Sequence, residues 1–428
     1  MTRILYALAW LAATPFVLVR LAWRNRRQRG YLDHLGERFG RYRPRREGPY
    51  IWVHAVSLGE TRAAVALVEA LRARHPGHNM LITHMTPTGR AASRDAFGDS
   101  VERAWLPYDM GFAVRAFLAH YRPEFGVLLE TEIWPRLLEE GVRQDVPIVL
   151  ANGRMSRRSA QRYARFPALT RWAMGNLRGI AAQTEDDARR FARLGGPAPA
   201  VLGNVKFDLA VPGEMIELGR EFRERIGERM VWLAGSTREG EEALLLDAFF
   251  GSTAGPEVLL AIVPRHPQRF DEVARLAESK GFKVARRSEG IAIDADTRVL
   301  VGDSIGEMLA YYSAADVVIM GGSLLEFGGQ NLIEACAVGR PVIVGPSTYN
   351  FGEAARGAIA AGAALRVRDS FEAMQAAALL AHDAERREAM GRKALDFVAA
   401  HRGAVARIAD WIGETAKRQA PARAARAP

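Results

Sequence analysis

Residues 51–60, IWVHAVSLGE, carry an apolar run into a turn that holds His54, Ser57, Gly59 and Glu60. The pattern that follows, TRAAVALVEALRARH, has helical spacing, so Glu60 is expected in the first turn of a helix that starts where a β-strand ends. Free N–H groups at a helix start favour an ionised carboxylate unless apolar groups surround it. An ionised glutamate over a strand-end crevice can take a proton from a bound hydroxyl. Its other available role is that of a helix-end charge worth about 0.3–1 kcal/mol.

A second group of residues has the character of an anion site. AGSTREGEE (234–242) places Gly235, Ser236 and Thr237 between a strand and a helix, where backbone N–H groups can meet a phosphate, although Ser or Thr there also serves as an ordinary helix cap. VPRHPQRF (263–270) holds Arg265 and His266 between two prolines, and VGDSIGEM (301–308) has Gly302 and Gly306 around a helix start. Further on, Gly321, Gly322, Gly328 and Gly329 precede Gln330, Asn331 and Glu334. A helix beginning near Gly329 would set Asn331 and Glu334 on one face, where a carboxylate can accept both hydroxyls of a ribose. No GK[ST] loop and no GxGxxG after the first strand argue for nucleoside triphosphate hydrolysis or ordinary NAD binding. The histidines form neither HxxxH nor HExxH, so no metal site is expected.

The elements that must position these residues read as two consecutive series of strands alternating with helices. The first has strands at 50–55, 79–84, 103–106, 124–130, 146–151, 178–182 and 199–202; the second starts at MVWLAG (230–235) and runs through VLLAIVP, FKVAR, TRVLVGD, ADVVIMGG and RPVIVGP. Two such series imply two Rossmann-like halves, and 428 residues with 49% apolar content suffice for two cores. The change of series falls at 201–213. A last helix, expected from about Asp396 to Lys417, is long enough to return to the first half, and 419–428 is expected to be disordered. The single Cys336 excludes an internal disulfide and reads as a buried apolar residue.

The formal charge of +10 is concentrated at the ends of the chain. Ten arginines stand against Asp33 and Glu37 between Arg20 and Arg46, the segment from Gly413 carries a net +3, and the remainder is one unit negative. That distribution argues against a surface that tracks nucleic acid. The larger cluster follows ILYALAWLAATPFVLVRLAW (4–23), a run long enough for a membrane span or an interfacial helix. It ends in Trp-Arg-Asn-Arg-Arg with no small-residue cleavage site, so it is read as a retained anchor over 1–23 with the following chain on the cytoplasmic side. The arginines from Arg24 to Arg46 suit anionic headgroups or the phosphates of a lipid substrate, with headgroups favoured because the cluster adjoins the anchor.

Taken in order, HAVSLGE, MTPTGR, LPYD, ETEIWP, ANGRMSRRS, GNVKFD, AGSTREGEE, VPRHPQRF, GDSIGEM and GGSLLEFGGQNLIEA resemble the 3-deoxy-D-manno-octulosonic acid (Kdo) transferase family of lipopolysaccharide synthesis. The resemblance runs from the anchor to about residue 400. It implies an inverting, metal-independent glycosyltransferase of GT-B fold: two Rossmann-like domains facing an interdomain cleft, an acceptor domain over 24–208 and a nucleotide-sugar domain over 209–400, with residues 401–418 returning to the first. CMP-Kdo would be the donor, a lipid A precursor the acceptor, and the inner membrane's cytoplasmic face the location, with no cofactor. Carried over residue by residue, Glu60 takes the place of the general base, and Glu130 and Lys206 those of transition-state stabilisers. Pro264, Arg265, Ile305, Gly306, Glu307, Asn331, Leu332, Ile333 and Glu334 fall on the family's CMP site, with Ser236, Thr237 and Gln330 as further donor contacts. Gln330 and Arg238 stand where the family commonly has histidine, and Leu332 where it often has proline. Glutamine cannot carry charge, which puts any role for an imidazolium at position 330 in doubt. Two other readings share parts of the pattern: a GT-B enzyme using a UDP-sugar on a lipid acceptor, and a non-enzymatic membrane adaptor.

Overall fold

The computed structural model describes residues 2–290 and 293–417; the expected disordered tail at 419–428 lies outside the described residues. The chain forms two compact units, the first made of residues 1–208 and 402–428 and the second of residues 209–401.

The first unit is built on seven strands: β1 (Tyr50–His54), β2 (Asn79–His84), β3 (Glu102–Trp105), β4 (Pro123–Leu129), β5 (Ile148–Gly153), β6 (Gly179–Ala182) and β7 (Ala200–Val201). They pair in parallel in the order β3-β2-β1-β4-β5-β6-β7. Most positions of these strands are buried on both faces, which is why they read as apolar runs instead of alternating ones. Each fully buried Leu, Val or Ile stabilises the core by roughly 1.5–3 kcal/mol. The strand order reverses between β1 and β4, the switch point where parallel sheets open a crevice at their C-terminal ends.

The second unit repeats the plan with β8 (Met230–Thr237), β9 (Val258–Pro264), β10 (Val284–Arg286), β11 (Val299–Val301), β12 (Val317–Met320), β13 (Val342–Val344) and β14 (Ala364–Arg366). Its order is β10-β11-β9-β8-β12-β13-β14, again parallel, with the switch between β8 and β12. Two Rossmann-like sheets of this kind, in series, are the GT-B fold. Cys336 is fully buried in the short helix Leu332–Ala337.

The continuous helix expected over 396–417 is two helices, Ala384–His401 and Ala404–Lys417. Gly403 breaks them with a left-handed φ of 85°. Asp208 fixes the break by accepting from the N–H groups of Gly403 and Val405. The second helix then buries Ile408, Ala409 and Ile412 beside Ile51 and Val53 in the core of the first unit.

At the N-terminus, Thr2–Arg27 is one apolar helix of 26 residues, and it is the one helix among the described residues long and apolar enough to cross a membrane. Length and composition alone fit a membrane anchor or a signal sequence.

Candidate active site

β1 ends at His54, and the chain turns through Ala55 and Val56 into the helix Leu58–Arg74, capped by Ser57. Glu60 is the third residue of that helix, so Ser57 and Glu60 have the spacing of a capping box. Glu60 Oε2 accepts from the Val56 N–H at 2.9 Å and Oε1 from the Ser57 hydroxyl at 3.0 Å. The side chain therefore does cap the helix, and its direction is fixed by doing so. Its carboxyl is nevertheless pushed up from the usual 4.5 to about 7, first by burial, then by the charge of Glu130, against the pull of the Val56 N–H. This is the exception allowed for a carboxylate with apolar surroundings: lost hydration and a second carboxylate outweigh the helix end. A carboxyl that titrates near neutrality is matched to taking a proton from a hydroxyl and releasing it afterwards.

Glu130 directly follows β4, on the strand adjacent to β1, with a left-handed φ of 57° that few non-glycine residues adopt. Its carboxylate accepts from Lys206 Nζ at 2.8 Å, and both side chains are about four-fifths covered. Lys206 is thus no solvated linker residue. It sits in the 3-10 turn Val205–Asp208, held by Asn152 Oδ1, which accepts from Val205 N–H at 3.2 Å, and by Asn204 Oδ1, which accepts from its own N–H at 3.0 Å. Three residues spread over nearly 150 positions of sequence meet at the switch point of one sheet.

Two more groups complete this end of the sheet. Glu132 lies 4.0 Å from His54 Nε2, and burial raises its carboxyl above the usual range. His54 is fully buried, with Nδ1 2.8 Å from the Thr83 hydroxyl, and burial lowers its pKa to about 3, so it stays neutral. Beside the Glu130–Glu132 turn opens a cavity of about 430 Å³ lined by Tyr6, Thr131, Ile133, Arg162, Tyr163 and Phe166 among others.

In the second unit, the ends of β8, β9, β11 and β12 face the same way because their strands are parallel. Ser236 has a left-handed φ of 58° at an irregularity of β8, and Gly321 lies so close that a Cβ there would fall 2.4 Å from the Ser236 carbonyl oxygen. Glu241, fully buried, ties the glycine loop down by accepting from the N–H groups of Arg238 (2.9 Å), Gly322 (2.6 Å) and Leu324 (2.9 Å). Glu242 accepts from the Thr237 hydroxyl and from Arg269, both at 2.7 Å. Arg265 is exposed at the end of β9, its N–H bonded to the Thr237 carbonyl at 2.9 Å. His266 is held below its usual pKa by burial and then by Arg238, Arg265 and Arg269, which marks a strongly positive corner suited to phosphate. Across the same sheet end stand exposed Ile305 and Gly306, with Glu307 paired to Arg287 at 3.2 Å.

Comparison with known proteins bears directly on what these two sheet ends serve. Residues 33–209 match the family described as 3-deoxy-D-manno-octulosonic-acid transferase (kdotransferase), and residues 252–397 match glycosyl transferases group 1. A 3-deoxy-D-manno-octulosonic acid transferase of Bordetella pertussis is 44% identical over 96% of this chain and all of its own length. The chain belongs to the Kdo transferase family. A second Kdo transferase, from Haemophilus influenzae, is 34% identical over 96% of this chain and 98% of its own. A glycosyltransferase from Rickettsia africae, only 10% identical, covers 87% of this chain and 100% of its own with a TM-score of 0.60, a likeness of fold. The protein is accordingly a glycosyltransferase with Kdo as the group transferred.

Within this Kdo transferase, Glu60, Glu130 and Lys206 are brought together in the first unit. Pro264, Arg265, Ser236, Ile305, Gly306 and Glu307 lie at the C-terminal strand ends of the second. Burial and hydrogen bonding limit how several members of the expected nucleotide set could meet a ligand. Leu332 and Ile333 are buried in the core, so only their backbone can face a ligand. Thr237 is 1% exposed and its hydroxyl is committed to Glu242. Gly328 and Gly329 both have left-handed φ, so the helix starts at Leu332 with Asn331 as its cap and not near Gly329. Asn331 Nδ2 donates to Glu334 Oε1 at 3.0 Å, which ties the two side chains together. Gln330 lies against Gly322. Sequence reasoning passed over Glu241, Asn152 and Asp208, which hold backbone in place and carry no reacting atom. The only signal for Glu241 was a carboxylate opening a helix after a Gly-Ser-Thr turn.

Proposed function

We propose that the protein transfers Kdo from CMP-Kdo to a lipid A precursor in lipopolysaccharide synthesis, with inversion at the anomeric carbon. The observation that carries the mechanism is the half-buried Glu60 carboxyl, poised near neutrality beside the Glu130–Lys206 pair. Glu60 removes the proton of the acceptor hydroxyl as that oxygen attacks the anomeric carbon, the bond to the CMP phosphate breaks, and CMP leaves with the bonding electrons. Glu130 opposes the positive charge that develops on the sugar ring, while Lys206 neutralises Glu130 in the resting state and balances the sugar carboxylate or departing phosphate. Arg265 and the backbone around Ser236 bind the phosphate, with Ile305, Gly306, Glu307, Asn331 and Glu334 around the nucleoside and Gln330 as a further donor contact. The cavity beside Glu130–Glu132 receives the acceptor, whose apolar chains suit Ile133, Tyr163 and Phe166.

The N-terminal helix is retained, and the body works on the cytoplasmic face of the inner membrane. Arginines on its C-terminal side and the tie of Tyr6 to Asp109 support that reading, since cleavage would remove one of the three donors to a buried aspartate. The full-length protein offered CMP-Kdo, generated in situ, or UDP-sugars with tetraacylated lipid A precursor tests the reaction. A product heavier by one or more Kdo residues is expected from CMP-Kdo alone; transfer from a UDP-sugar, or none from CMP-Kdo, contradicts it.

A further inference from the structure

The helix Thr2–Arg27 has two faces with different partners. Tyr6, Trp10, Val17, Leu21 and Arg24 recur at helical spacing along one side and are less exposed than their neighbours, with Leu21 buried. Near its start, the Tyr6 hydroxyl donates to Asp109 Oδ2 at 2.7 Å, Arg136 donates to the Arg3 carbonyl at 3.1 Å, and Arg3 pairs with Glu139 at 3.0 Å. Trp10 packs on Tyr108 at 5.8 Å, and near the far end the Arg24 guanidinium lies 4.4 Å over Tyr31. The other side exposes Ile4, Leu8, Leu11, Phe16, Val19 and Trp23, each more than half accessible.

A spanning helix needs about 20 residues surrounded by lipid across roughly 30 Å of hydrocarbon. Here residues 3, 6 and 10, at the end that a span would carry across the bilayer, are fastened to one compact unit through Glu139, Asp109 and Tyr108. Spanning would drag Asp109, Arg136 and Glu139 through the bilayer or strip their bonds to the helix, and charged groups are not tolerated there without cost. We propose that this helix does not cross the membrane but lies in its plane, docked on the first unit through Arg3, Tyr6 and Trp10, with its outer apolar face sunk into one leaflet. The occupant of that face is anionic lipid: Arg20, Arg26 and Arg27 in the C-terminal part of the helix and Arg29 just beyond it are exposed, and Arg27 stacks 4.1 Å over Trp23, an arrangement suited to the headgroup boundary. Tyr6 also lines the cavity beside Glu130, so a helix lying flat sets that cavity's rim, with exposed Phe166, at the level of the lipid. This orientation rests on the proposed membrane-linked Kdo transfer for its purpose, not for its geometry.

Cysteine accessibility in the full-length protein tests it. The sole natural cysteine, Cys336, is fully buried and gives the unlabelled background. Thr2→Cys and Arg29→Cys are treated with a membrane-impermeant maleimide in inverted inner-membrane vesicles and in spheroplasts. The inference predicts that both positions label in inverted vesicles and neither in spheroplasts. Labelling of Thr2→Cys in spheroplasts alone, labelling from neither side, or a mature chain lacking the segment overturns it. Kdo transfer is measured in the same vesicles: its absence with both positions labelled counts against the reaction and leaves the orientation standing, whereas transfer with a spanning pattern overturns the orientation alone.

Discussion

The chemical role proposed for Glu60 shares one side chain with a structural one. The hydrogen bonds that cap the helix aim the carboxyl, and the burial that accompanies them raises its pKa. Its position was legible from the strand-to-helix change at Ser57; its protonation was not, because burial and the approach of Glu130 depend on residues 70 positions away. Two consequences have opposite signs. A base must be deprotonated to act, so transfer should fall below about pH 7 with a single ionisation, and Glu130→Gln, by removing a repelling charge, should move that acid limb lower. Lys206→Ala leaves Glu130 unneutralised and should move it higher; pH-rate profiles of the two variants check both. For stability, a folded-state pKa raised from 4.5 to about 7 means the native protein holds a proton that the unfolded chain has lost, so stability falls as pH rises through that window. Glu60→Gln should therefore be more stable than wild type at pH 8, by on the order of 2 kcal/mol, with the gap closing near pH 5, as thermal melts at the two pH values would show.

At the scale of elements, both sheets place their working residues by the same device: a switch point whose adjacent strands end in tight loops. Apolar runs and turn residues were enough to place nearly every strand to within two residues, because strands buried on both faces leave an unbroken signature. The breaks were harder to read. Gly403 interrupts a pattern whose periodicity continues on either side, and nothing local tells that Asp208 waits to cap the second helix. The glycine loop after β12 was legible as a loop, but its scaffold, Glu241, was not, since it joins the Arg238 N–H after β8 to those of Gly322 and Leu324 in the loop, which become neighbours only when the sheet forms. Glu241→Ala should leave those N–H groups buried without an acceptor and cost about 3 kcal/mol or more. The melting temperature should drop and CMP binding weaken; a variant that melts and binds like wild type would show that the loop holds itself.

For the whole molecule, charge and hydropathy indicated a membrane partner from the sequence, while the way the N-terminal helix meets the first unit needed coordinates, because a 20-residue apolar run fits a span and a surface helix equally well. Replacing Arg26, Arg27 and Arg29 by Ser should weaken binding to anionic liposomes and reduce its salt dependence, with neutral liposomes little affected; unchanged binding would assign those arginines elsewhere. The central claim is that one carboxyl, Glu60, activates the acceptor hydroxyl for Kdo transfer. It is tested most directly by mass spectrometry of the lipid product formed from CMP-Kdo by wild type and Glu60→Gln, each confirmed folded and shifted equally in melting temperature by CMP. Loss of about 10²-fold or more in transfer rate by the variant, with CMP binding intact, is the predicted result. Transfer by Glu60→Gln at the wild-type rate would contradict it.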